Sequence, residues 1–137
     1  MKELNSQKIQ NKLRSKFLKL GVKMMGPETI FFSNDTKIGK CVTIEPYVVI
    51  GKNVKIHSQV YIGENVSIGN SVIIYPGAKI YADSVIGDNC ILHAGCIIGS
   101  DGFGFNLDKE GKQIKVSHNG NVILEDNVEI GANCTLD

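Results

Sequence analysis

The sequence predicts an all-β fold, a parallel β-helix wound from six-residue repeats, with a short α-helix ahead of it and one inserted loop within it. Three observations predict this. An apolar residue recurs every six positions, at Ile38, Ile44, Ile50, Ile56, Ile62, Ile68, Ile74, Ile80, Ile86, Leu92 and Ile98. A second column lies four residues after each, from Val42, Val48, Val54, Val60, Val66 and Val72 through Ala78, Ser84, Cys90 and Cys96 to Gly102. Trp is absent, and the apolar residues are mostly Ile and Val, the β-branched types that suit pleated strands. A period of six matches neither the 3.6 of a helix nor simple strand alternation, but it matches one short strand plus one corner. Three such units close a triangular coil of eighteen residues.

The chain begins with a basic segment, residues 1–21. Residues 4–20 read as a helix, with Ile9, Leu13, Phe17 and Leu20 at helical spacing, Lys8, Lys12, Lys16 and Lys19 elsewhere on its surface, and Gly21 as its stop. The first twenty residues carry six Lys or Arg against one Glu, and the rest of the chain carries nine basic and thirteen acidic residues. The helix is expected to pack over the first coil or a neighbouring subunit, because the end of a solenoid leaves an edge that invites pairing. Lying on anionic lipid would require a wider apolar face. The acidic remainder has no basic stripe interleaved with aromatics, so no nucleic-acid partner is expected.

Residues 22–137 form the β-helix. Its corners need backbone that tolerates positive φ, and Asn53, Asn65, Gly77, Asp83, Asn89, Gly95 and Asp101 stand one position before the second column, where these residue types reach the left-handed region cheaply. Gly39, Gly51, Gly63, Gly69, Gly87 and Gly99 follow the leading apolar residue, where a missing side chain lets coils approach. The period breaks over residues 100–121 and resumes two residues out of phase at Leu124, Ile130 and Leu136. This inserted loop carries Phe103 and Phe105, large apolar groups suited to ligand contact or to pinning a subunit interface. The repeat stops at Asp137 without a visible cap, which reads as truncation.

Cys41, Cys90, Cys96 and Cys134 show neither disulfide nor zinc spacing, so reduced thiols in the cytoplasm are the default expectation. No apolar run approaches the roughly 20 residues of a membrane span. Residues eighteen apart stack in such a coil, which places His57, Tyr75 and His93 in one column along a corner edge. A surface His titrates near neutral pH and can act as a general base, and side-by-side protomers would create clefts between such edges. His57, Tyr75, His93, Phe103, Phe105 and the loop residue His118 are therefore the substrate-binding candidates. No residue is assigned as catalytic, and no metal or cofactor is implied.

The repeat, as in Ile62 to Ser67, resembles the hexapeptide of the bacterial acyltransferases, and that resemblance implies a left-handed coil. Residues 12–56, with the stretch GPETIFFSNDTKIG, resemble the linker helix and first coils of the bifunctional uridylyltransferase and acetyltransferase family that makes UDP-N-acetylglucosamine. From about Ile62 on, and most clearly in VIIYPGAKIYADSVIGDNCILHAGCIIGSDGFGF and NVILEDNVEIGANCTLD, the chain is similar to the UDP-3-O-acylglucosamine N-acyltransferases of lipid A biosynthesis. That second resemblance implies transfer of a 3-hydroxyacyl chain from acyl carrier protein to a UDP-glucosamine derivative, a His as general base, and homotrimers with active sites between subunits. The family's catalytic His follows an Ala in a later coil, and this chain has no Ala-His pair. Its uridine-binding domain is replaced here by the basic helix. The chain is thus expected to be a fragment of such an enzyme, inactive alone. The alternatives are a sugar-nucleotide acetyltransferase working at the His57 and His93 edge, and a non-catalytic trimeric scaffold.

Overall fold

A computed structural model describes residues 7–137. The expected helix spans Gln7–Lys19, and residues 4–6 of the sequence reading lie outside the described residues. Its end is set by Gly21 at φ 88°, with the Gly21 N–H donating to the Leu18 carbonyl and the Val22 N–H to the Phe17 carbonyl. That pairing satisfies carbonyls the helix itself cannot reach.

From Lys23 the chain forms a parallel β-helix whose strands are two residues long, one per hexapeptide. Three sheets make its faces. The first runs Lys23–Met24, Thr43–Ile44, Tyr61–Ile62, Lys79–Ile80, Ile97–Ile98 and Thr135–Leu136. The second runs Phe31–Phe32, Val49–Ile50, Ser67–Ile68, Val85–Ile86 and Ile123–Leu124. The third runs Lys37–Ile38, Lys55–Ile56, Ile73–Ile74, Ile91–Leu92 and Glu129–Ile130. Every pairing in these faces is parallel, and Ile stacks on Ile from coil to coil, as in Ile38 on Ile56 on Ile74. Both six-residue columns point inward: Val42, Ile44, Val48, Ile62, Val72, Ile74, Ala78 and Ile80 are sealed from solvent. The core is thus one continuous aliphatic column. Ser84 is a polar exception, a buried hydroxyl without a hydrogen-bond partner.

The corners follow the expected backbone with two differences. Asn53, Asn65, Asp83 and Asn89 take positive φ as predicted, but so do Cys41, Tyr47, Gln59 and Ser71, whose side chains gave no such signal. The reason is the coil itself. At most of these corners the left-handed residue donates its N–H to the coil below, as Gln59 does to Lys40 and Asn65 to Pro46, so position imposes the conformation at a cost of roughly 1–2 kcal/mol for such residues. Asp101, expected among these corners, is not in the left-handed region; Gly99 takes that conformation instead, where the chain leaves the coil.

The helix closes the first coil. Phe17 packs on Phe32 with ring centroids 5.0 Å apart, and the buried Gln10 amide both donates to the Phe32 carbonyl and accepts from the Phe32 N–H. Gln10 thus satisfies the edge of the second face as a further strand would. Buried Arg14 donates to the Ile30 and Glu28 carbonyls and lies over the Phe31 ring, so three backbone contacts disperse a charge that forms no ion pair among the described residues.

The inserted segment is more ordered than its composition suggested. Phe105–Leu107 and Gln113–Lys115 pair as an antiparallel hairpin. Its turn is built by Asp108, whose carboxylate accepts from the Glu110 and Lys112 N–H groups, and by Gly111 at φ 78°. The coil then resumes in register, Val85 opposite Ile123 and Ile86 opposite Leu124.

Candidate functional site

The candidate residues separate into two places. On the third face, register puts Gly39, His57, Tyr75, His93 and Gly131 in one outward column. The rings stack: His57 and Tyr75 lie 5.0 Å apart at 7°, and Tyr75 and His93 lie 5.2 Å apart at 3°. That spacing is close to the ~4.8 Å between neighbouring strands, so the coil imposes the stack. His57 is exposed, whereas Tyr75 and His93 are half-buried.

Sequence reasoning missed the partner of this column. His93 Nε2 lies 2.6 Å from Glu129 Oε1, on the next coil. A carboxylate at that distance accepts from a proton on Nε2, which leaves Nδ1 as the ring nitrogen not engaged by Glu129. The pair was hidden because the insertion separates the two residues and shifts the phase of the repeat. Undoing the two-residue shift at Leu124 would have placed Glu129 beside Ile91.

The second place is the corner between the first and second faces, where the insertion leaves and returns. An open cleft of about 900 Å³ there is bordered by Tyr81, Asp83, Asp101, Ser117, His118 and Asn121. His118 is exposed, and its Nδ1 accepts from the Gly102 N–H at 3.2 Å, so the Nε2 nitrogen carries its proton. A Cβ on Gly102 would meet the His118 ring and the Asp137 carboxylate, so a side chain there would displace these two exposed groups. Phe103 and Phe105 meet edge-to-face at 5.1 Å, and Phe103 is 96% exposed. Neither Phe lines the cleft, and the His57–Tyr75–His93 column stands at another corner. The structure therefore does not gather the six candidates into one site.

Other reactive groups are few. Burial pushes the Cys96 thiol up, with Cys134 adding to the shift, so Cys96 stays protonated and makes a poor nucleophile. Burial, with Glu45 next, likewise raises Tyr61. Among the described residues no three His, Cys, Asp or Glu side chains gather as a metal set, and no helix is long and apolar enough to cross a membrane.

Comparison with known proteins adds a family to this geometry. The profile of the bacterial transferase hexapeptide, six repeats long, matches residues 35–70 and again 65–100. A UDP-3-O-acylglucosamine N-acyltransferase of Helicobacter hepaticus is 63% identical over 43 residues, 31% of this chain and 13% of that protein. UDP-3-O-acylglucosamine N-acyltransferase 2 of Sulfurimonas denitrificans is 67% identical over 39 residues, 28% of this chain and 12% of that protein. The matched stretch is thus about an eighth of the length of these relatives. A variant of perosamine N-acetyltransferase from Caulobacter crescentus, solved with CoA and GDP-perosamine, aligns over 93% of this chain and 60% of that one, with 14% identity and a TM-score of 0.40. Residues 35–100 thus match the repeat of the bacterial transferase hexapeptide.

Proposed function

We propose that this chain supplies coils to a UDP-3-O-(3-hydroxyacyl)glucosamine N-acyltransferase, which moves a 3-hydroxyacyl chain from acyl carrier protein to the amino group of a UDP-glucosamine derivative. The observation that carries the reading is identity above 60% to UDP-3-O-acylglucosamine N-acyltransferases over 39 to 43 residues. Further support is a rigid coil that presents an outward imidazole held by a carboxylate. In this reading three copies associate side by side in the cytoplasm, and the His57–Tyr75–His93 edge of one faces a neighbour and contacts the sugar nucleotide. Phe103, Phe105 and His118 contribute from the insertion.

Residues 1–137 have no Ala-His pair, so by themselves they are expected to bind sugar nucleotide without turning it over. The test is to mix the chain with UDP-3-O-(3-hydroxyacyl)glucosamine and 3-hydroxyacyl carrier protein and follow release of the carrier thiol. Turnover near that of an intact enzyme would contradict the proposal. Binding of the UDP-sugar followed by NMR should weaken about tenfold in His93→Ala, the loss expected for one hydrogen bond to a charged or polarised group. No binding by the unaltered chain would equally count against it.

The His93–Glu129 pair favours one second reading, an acetyltransferase acting on a sugar nucleotide at this edge. A carboxylate that fixes Nε2 leaves Nδ1 to take a proton from an attacking amine. His93→Ala should then abolish acetyl transfer, and Glu129→Gln should lower it while moving its pH profile.

A further inference from the structure

The N-terminal helix carries a feature that acyl transfer does not use. Lys8, Lys12, Lys16 and Lys19 recur at three- and four-residue spacing, so they share one side of the helix. Their direction is fixed from the opposite side. Gln10, Arg14 and Phe17 are locked to the first coil by hydrogen bonds and ring packing, which leaves the four lysines exposed, Lys16 with its ammonium 5.6 Å from the Phe17 ring centroid. Like charges at this spacing disfavour a helix, and Gln7–Lys19 contains no acidic residue to offset them. Among the described residues none of the four takes part in an ion pair. Exposed Ile9, Leu18 and Leu20 flank the ridge, and Lys23 and exposed Met25 follow it. From Lys8 to Lys19 the ridge is about 16 Å long at ~1.5 Å per residue.

We propose that this lysine ridge docks the chain on an anionic lipid bilayer. Charge complementarity carries the argument. Clusters of four or more lysines on an exposed helix are drawn to anionic headgroups, and leucines beside them reach the hydrocarbon boundary that such a surface also offers. The helix's apolar side is buried against the coil, so its narrowness does not count against the contact: the charged side binds, with Leu18 and Leu20 as shoulders. An acidic protein would satisfy the ammonium groups but gives no reason for the exposed leucines.

The experiment is co-sedimentation of the full chain with vesicles of equimolar phosphatidylglycerol and phosphatidylcholine, against phosphatidylcholine alone. Binding is expected on the anionic vesicles only, at about 0.1 M salt and not at about 1 M, where the screening length falls from about 10 Å to about 3 Å. Replacing all four residues, Lys8→Gln, Lys12→Gln, Lys16→Gln and Lys19→Gln, should lower partitioning roughly 10²–10³-fold with an unchanged thermal melt. Leu18→Ser with Leu20→Ser should lower it about tenfold or less and keep the salt dependence. Three results would overturn the proposal. They are no binding to anionic vesicles, equal binding to both vesicle types, or polyglutamate binding as tight as that to vesicles and indifferent to the leucine changes. The salt series on the unaltered chain decides the matter even if the fourfold variant fails to fold.

Discussion

Between Val22 and Ile98 the chain buries an aliphatic residue at nearly every inward position, whereas between Ser100 and Asn121 only Gly102 is buried. Both stretches form strands. In the coil, each strand is two residues long and gains its stability from the strands above and below and from the shared core. In the insertion, each strand is three residues long and has one partner, a hairpin that buries almost nothing. Regular hydrogen bonding is common to the two, so what separates them is burial, which supplies most of the driving force for folding.

The largest effect should therefore come from the interior. Ile74→Ala leaves a cavity beneath a fully buried side chain and is expected to lower stability by about 2–5 kcal/mol. Phe103→Ala removes a larger side chain that is almost wholly in water and should change stability by no more than about 0.5 kcal/mol. Urea melts of the two variants beside the parent would measure both. Similar losses would mean that the hairpin is part of the cooperative unit.

Glycines give the next contrast. A Cβ on Gly63 would stand 2.7 Å from the Ala82 backbone nitrogen of the coil above, so Gly63→Ala must spread two coils and should cost about 1–3 kcal/mol. Gly120, in the returning arm of the insertion, has open space around its Cα. There Gly120→Ala should be neutral or stabilise by about 0.4–1 kcal/mol, through the unfolded chain. Thermal melts are enough to see opposite signs.

The same contrast explains what the sequence could reveal. A period of six announces inward columns because every coil repeats the same environment, so Ile62 and Ile80 could be placed without a structure. The left-handed corners were readable only where the residue is Gly, Asn or Asp. Tyr47 and Gln59 adopt that conformation because the coil demands it, and nothing in a tyrosine advertises a positive φ. The hairpin was missed because its strands have no inward face to pattern, so Leu107 and Ile114 read as scattered apolar residues in a polar loop. In the candidate site, the His57–Tyr75–His93 column followed from eighteen-residue stacking, but Glu129 did not, since it joins His93 across the insertion.

Ser84 sits where the two regions meet. It replaces valine in an inward column, and its hydroxyl lies close enough to Gly99 that a Cβ there would be only 2.6 Å from it. A buried hydroxyl without a partner costs about 1–3 kcal/mol, so Ser84→Ala should stabilise the coil by about 1 kcal/mol. A destabilised variant in the same urea melt would show that the hydroxyl is hydrogen-bonded in solution.

The smallest effect concerns side chains that tie corners together. The Asp35 carboxylate accepts from the Asn53 N–H of the next coil at 3.0 Å. That bond, followed by one from the Ser33 side chain, holds Asp35 below its ordinary value of 3.8. A depressed carboxylate stabilises the fold above its unfolded-state value and loses that contribution as pH falls through its folded value. Asp35→Asn keeps an oxygen that can accept the same N–H, so only the advantage of the charge disappears, and at an exposed corner that advantage is small. The variant's melting temperature should lie slightly below the parent's at neutral pH, and the gap should close as the pH drops below 3.8. Asp108 makes the same kind of bond twice inside the hairpin, yet Asp108→Ala should leave the melt unchanged, because fraying a hairpin that covers no core does not loosen the coil. A loss of melting temperature in Asp108→Ala as large as that in Asp35→Asn at neutral pH would show that the insertion and the coil unfold as one.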